Sequence, residues 1–153
     1  MIIKITRMLL VVTIFFVLVS CDESPTNPGG GFNGITHTDE TGQQTGQTDL
    51  GDWNSAGILT PYPAYPNPFT SSITISYKIS KSCLVNITVN DTPDNEIREL
   101  VSKTLPAGTY KVIWDGKDKS DQTVSNEIYR VYLKATYNDT TDESYGDLLK
   151  LSN

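Results

Sequence analysis

The chain has 153 residues, with 12 Lys and Arg against 18 Asp and Glu, for a net charge of −6 at neutral pH. That is ordinarily one domain's length. The acidic balance argues against nucleic acid, which is bound by Lys and Arg displacing counterions from phosphate, and against anionic headgroups as electrostatic partners.

The first seven residues carry Lys4 and Arg7 and no acid, and Met8 to Val19 is almost wholly apolar. A basic start followed by about 7–15 apolar residues is the form of a secretory signal peptide. As a helix this run would span only ~18 Å, against ~30 Å of hydrocarbon, so it is too short for a permanent transmembrane span. It ends in Leu18-Val19-Ser20-Cys21, followed by Asp22 and Glu23. This tetrapeptide resembles the lipobox of bacterial lipoproteins. The resemblance implies peptidase recognition through Leu18, Val19 and Ser20, cleavage before Cys21, and acylation of Cys21. Residues 1–20 are then a signal peptide, and the acyl chains are the contact with a membrane. Two or three chains anchor stably where one binds only marginally. The expected location is the bacterial envelope, at the outer membrane or cell surface rather than the inner membrane. Losing Lys4 and Arg7 would leave the mature chain two charges more negative.

From residue 21 to 58 Gly, Thr, Gln, Asn, Asp and Pro dominate, as in Ser24 to Gly31 and Thr41 to Thr48. With few apolar residues to bury, such a segment is expected to remain a disordered spacer. Gly29 to Gly34 lacks the flanking strand, helix and Lys of a phosphate loop. His37, the single histidine, falls in this spacer without the convergent partners a metal or catalytic site requires.

From Leu59 the pattern becomes β. Ile73, Ile75, Tyr77 and Ile79 alternate with polar residues, as do Val85, Ile87 and Val89. Tyr110, Val112 and Trp114 follow, then Tyr129, Val131 and Leu133. Period-two alternation of β-branched and aromatic residues marks half-buried strands. Pro93-Asp94-Asn95 and Asp115-Gly116 are turn signals. Cys83, beside Leu84 and Val85, reads as a small buried hydrophobe left unpaired once Cys21 is acylated. No segment of helical length shows helical periodicity. The expectation is an all-β fold, a small antiparallel sandwich over residues 59–153.

Tyr65-Pro66-Asn67-Pro68-Phe69, then Leu105 to Tyr110, then Trp114-Asp115-Gly116, then Tyr129 to Ala135 occur in order. This series is similar to the immunoglobulin-like domain of flagellar hook-capping proteins and to the carboxyl-terminal sorting domain of type IX secretion substrates. The resemblance implies an immunoglobulin-like sandwich in which the motif residues are structural. Phe69 and Trp114 are expected in the core, Asp115-Gly116 in a turn, and Leu105 to Tyr110 in a loop that feeds the next strand.

Chemistry is expected to be absent. Asp115, Asp118 and Asp121 lack the EF-hand spacing and are interleaved with Lys117 and Lys119, so neither metal nor other cofactor is assigned. Asn138 to Glu143 reads as a second acidic loop, and the sequons at Asn86 and Asn138 as accidental in a bacterial chain. The region from 59 onward has no histidine to serve as a base, and no carboxylate pair facing across a cleft. Three functions follow, in descending order. The first is a lipid-tethered structural or adhesive module that binds an envelope protein or glycan. The second is a sorting domain for a secretion machine, and the last a small hydrolase.

Overall fold

A computed structural model describes residues 34–152 of the protein. The expected signal peptide (residues 1–20), the Leu18 to Cys21 motif and the first part of the expected spacer lie outside the described residues. Seven strands follow one another: β1 (Leu59–Tyr65), β2 (Ile73–Ile79), β3 (Cys83–Asn90), β4 (Glu96–Leu105), β5 (Gly108–Trp114), β6 (Ile128–Tyr137) and β7 (Thr140–Leu149). They form two antiparallel sheets, one ordered β1-β2-β5 and the other β4-β3-β6-β7. This is the expected all-β, immunoglobulin-like sandwich.

Alternation sets the inner faces. Ile73, Ile75, Tyr77 and Ile79 of β2 meet Cys83, Val85, Ile87 and Val89 of β3, and Tyr129, Val131, Leu133 and Ala135 of β6, all buried in one cluster. Phe69, Trp114 and Tyr129 stack through its centre at centroid distances of 5.5 and 5.2 Å. Tyr129, near the start of β6, places its hydroxyl 3.0 Å from the Ser125 carbonyl. This is the tyrosine corner of immunoglobulin-type sandwiches, in which a core ring also pins the incoming loop.

Three strands depart from the sequence expectation. The reading of Leu105 to Tyr110 as a loop is corrected: Leu105 ends β4, and only Pro106-Ala107 separate it from β5, carrying the chain from one sheet to the other. β4 itself shows no clean alternation because its pairing with β3 shifts register twice, and each bulge moves the side-chain phase. Asn138 to Glu143 is not a loop either. Only Asn138 and Asp139 turn, both at positive φ, and Asp142 and Glu143 already belong to β7. A two-residue turn with positive φ at both positions matches the twist of a hairpin, and Asn and Asp tolerate it.

The expected spacer is corrected over its second half. In residues 34–58, Ile35, Thr36, Thr38, Asp52 and Trp53 are buried. A small hairpin turns at Asp39 to Gln43, with Thr38 pairing both Gln44 and Asn67. The Thr38 hydroxyl donates to the Ala64 carbonyl at 2.7 Å. Composition counted too few apolar residues to order this stretch. What orders it is backbone pairing to the rest of the sandwich and two apolar side chains, Ile35 and Trp53.

Candidate functional site

The Tyr65–Phe69 motif closes one border of the four-stranded sheet. Asn67 is fully buried. Its Nδ2 donates to the Asp147 carbonyl at 2.9 Å and to the Thr36 carbonyl at 3.2 Å, and its Oδ1 accepts from the Leu149 amide at 2.9 Å. One side-chain amide thus satisfies the edge of β7 as a neighbouring strand would. The backbone of Phe69 continues the pairing to Leu149 and Leu151. The Tyr65-Pro66 and Asn67-Pro68 peptide bonds are both cis. Tyr65 lies on the surface, where its hydroxyl accepts from Lys111 Nζ at 2.8 Å.

The second motif is equally structural. Trp114 is buried, and its indole N–H donates to the Lys117 carbonyl at 2.8 Å. That bond requires the chain to double back within three residues, which Gly116 permits at φ 68°. Asp115 accepts from the Lys117 amide at 3.3 Å. Asp118 accepts the Ser120 and Gln122 amides of its own turn at 2.8 and 3.0 Å, and Asp121 pairs with Arg98 of β4 at 3.0 Å, so both of these loop carboxylates are already engaged. Cys83 is buried, and burial pushes its thiol pKa up, as befits a packing residue rather than a nucleophile.

A groove of about 450 Å³ lies on the outer face of the four-stranded sheet. Asn86, Thr88 and Asn90 of β3 form its floor, with Glu96 and Glu99 on one side and Tyr132, Lys134 and Glu143 on the other. Lys134 pairs with Glu143 at 2.8 Å, and Tyr132 donates to Asp94 at 3.1 Å. The Asn90 amide nitrogen is held by Asp94, while its Oδ1 is buried without a hydrogen-bond partner. Acceptors outnumber donors here, and no histidine or nucleophile–base pair is present. The surface suits binding of a donor-rich or cationic group rather than bond-breaking.

A second polar assembly was not anticipated from the sequence. Arg130 of β6 grips Asp147 of β7 through two parallel bonds of 2.7 and 2.8 Å, and its guanidinium lies over the Tyr145 ring. The Asp147 amide donates to Asp52 Oδ2 at 2.9 Å. Burial, reinforced by the neighbouring Asp147 and Asp49 charges, pushes the Asp52 carboxyl up to about 7, against the opposing pull of the Asp147 amide and Arg130. Trp53 lies across Gly146, leaving no room there for a side chain. A lone tryptophan in a polar, Gly-rich stretch was the one available signal. The pairing of Asp52 with a residue 95 positions away had none.

Residues 69–139 match the FlgD Ig-like domain family. No curated protein matches the chain. The match begins at Phe69 and ends at the β6–β7 turn, so the 34–58 segment and the β7 edge lie outside it. Fold and match agree: the sandwich is immunoglobulin-like and similar to the FlgD Ig-like domain.

Proposed function

We propose that this protein is a membrane-anchored envelope lipoprotein that presents its sandwich for structural, adhesive or protein-binding work. The observation that carries the reading is the succession of an apolar leader, Leu18-Val19-Ser20-Cys21, and an immunoglobulin-like domain of a class that is typically non-catalytic. With residues 34–58 packed on the sandwich, only residues 22–33 separate the anchor at Cys21 from the domain. The domain then works close to the membrane. The groove over Asn86, Thr88 and Asn90 is the binding face of this reading, and its occupant is an envelope protein or glycan.

Labelling with radioactive fatty acid tests the anchor. The wild-type chain takes up label and Cys21→Ser does not; label surviving in Cys21→Ser overturns the proposal. Protease shaving of intact cells then separates surface from periplasmic exposure. The similarity of Tyr65–Phe69 and Trp114-Asp115-Gly116 to secretion sorting domains favours a second reading, in which the sandwich directs export. Deleting residues 59–153 with the leader intact discriminates. Loss of surface location supports sorting, and loss of partner capture at an unchanged location supports binding.

A further inference from the structure

Residues 49–53 form a turn against the edge of β7, closed by the Gly51 amide donating to Asp49 Oδ1 at 2.7 Å, and they meet that edge at two points. The Trp53 amide donates to the Tyr145 carbonyl at 2.8 Å. Two residues on, the Asp147 amide is met not by a backbone carbonyl, as a regular strand would meet it, but by the Asp52 carboxylate. Between them the Trp53 indole occupies a trench that exists because residue 146 is glycine.

Four features show that this occupant is an imperfect match to its seat. Trp53 sits at φ 58°, a left-handed conformation that a bulky side chain seldom adopts. Its indole Nε1 is buried without a hydrogen-bond partner. The carboxylate of Asp52 is buried beside two further acids, Asp49 of the same segment and Asp147 of β7, with Arg130 of β6 the cation facing it. Arg130 is already committed to Asp147. Leu50, an apolar residue of the segment, is left 86% exposed. An extended chain with regular strand geometry would give the Asp147 amide a backbone carbonyl in place of a carboxylate and would need no left-handed residue.

We propose that the edge of β7 from Tyr145 to Asp147, with the trench over Gly146, is a strand-acceptor site of which residues 49–53 are the resident, displaceable occupant. The partner it fits is an extended peptide that places an aromatic ring over Gly146 and brings no acid to the Asp147 amide. Affinity comes from added main-chain bonds and selectivity from the single aromatic pocket, as in other strand-addition sites. The resident has the advantage of tethering, equivalent to a millimolar local concentration. It loses ground as pH rises through 7, because Asp52 then ionises among Asp49 and Asp147.

The probe is a fluorescein-labelled peptide of residues 48–56 with Asn in place of Asp at position 52, titrated into the full chain. Binding at millimolar peptide is expected, with faster amide exchange at Trp53 and tighter binding at pH 8.5 than at pH 5.5. In the Trp53→Gly chain, whose trench is empty, binding tightens at least tenfold. In Gly146→Val it is lost, as it is when the peptide carries Ala for Trp. The Asp52→Asn chain loses the pH dependence. Absence of saturable binding, binding that survives Gly146→Val, or binding that leaves Trp53 exchange unchanged overturns the proposal. Trp114 fluorescence reports whether each variant is folded. If Trp53→Gly is not, the wild-type and Gly146→Val titrations decide alone.

Discussion

The four-stranded sheet has two borders, and they are guarded in opposite ways. Along β4 the border is met by another segment at Ile97, whose carbonyl accepts from the Lys119 amide at 2.8 Å, and is otherwise defended locally, by Glu96, Glu99 and Lys103 and by two shifts of register. Charge and bulges on an edge strand discourage pairing with other chains. Along β7 the border is covered, by Asn67 and Phe69 at one end and by Asp52 and Trp53 further along. The first defence is written mostly within the strand itself. The second depends on residues 80 or more positions away. A border protected by its own charges cannot be uncovered, whereas one protected by a distant segment can.

Four measurements test how far the cover differs from the core. The largest effect is expected from Trp114→Ala, which opens a cavity at the sandwich centre and strands the bond to Lys117. It should cost ~3–5 kcal/mol in chemical denaturation, against a clearly smaller loss for Trp53→Ala. Equal losses would make residues 34–58 part of the core rather than a cover.

Next comes Asn67→Ala, which leaves the Asp147 carbonyl and the Leu149 amide buried and unpaired. A loss of about 2–3 kcal/mol is expected. Hydrogen exchange should rise at Leu149 first, while Ile87 and Val131 follow only the global change. Exchange rising uniformly across the sheet would show that the border does not open separately.

Gly146→Ala should expel the Trp53 indole for about 1–2 kcal/mol, by overpacking rather than by loss of a contact. The expected sign is a red-shifted Trp53 emission with the Trp114 signal unchanged, and an unshifted spectrum would refute the trench.

The smallest effect is one of pH. The folded-state pKa of Asp52 lies above its ordinary value of 3.8, at about 7, so between these the folded chain holds a proton that the unfolded chain has released. This contribution to stability is therefore present at low pH and lost as pH rises from about 4 through 7. Asp52→Asn should flatten that slope, and a denaturation midpoint whose pH profile is the same in both chains would sink the assignment.

Four strands were legible as alternation: β2, β3, β5 and β6 turn alternate side chains toward the core, because none of them carries an inserted residue that would shift the side-chain phase. β1 carries Pro61 and Pro63 and hid its pairing; it is an edge strand, where missing amides do no harm. β4 hid behind its bulges, and the start of β7 behind its acids, since Asp142 and Glu143 look like loop residues until they are placed on a strand. Of the candidate site, Tyr65–Phe69 was visible as a motif, but its action was not. Nothing about Asn67 in sequence says that its amide substitutes for a strand.

The sequence by itself determined the sandwich, its inner faces and the burial of Phe69 and Trp114, because side-chain alternation is a local property of each strand. It also marked the turn at Asp115-Gly116, where a glycine supplies the positive φ. Only the tertiary structure decided that residues 34–58 pack on the domain, and that Asp52, Trp53 and Asn67 meet β7. Those contacts satisfy backbone groups of a remote strand, and composition carries no information about which distant amide a buried carboxylate or amide side chain will find.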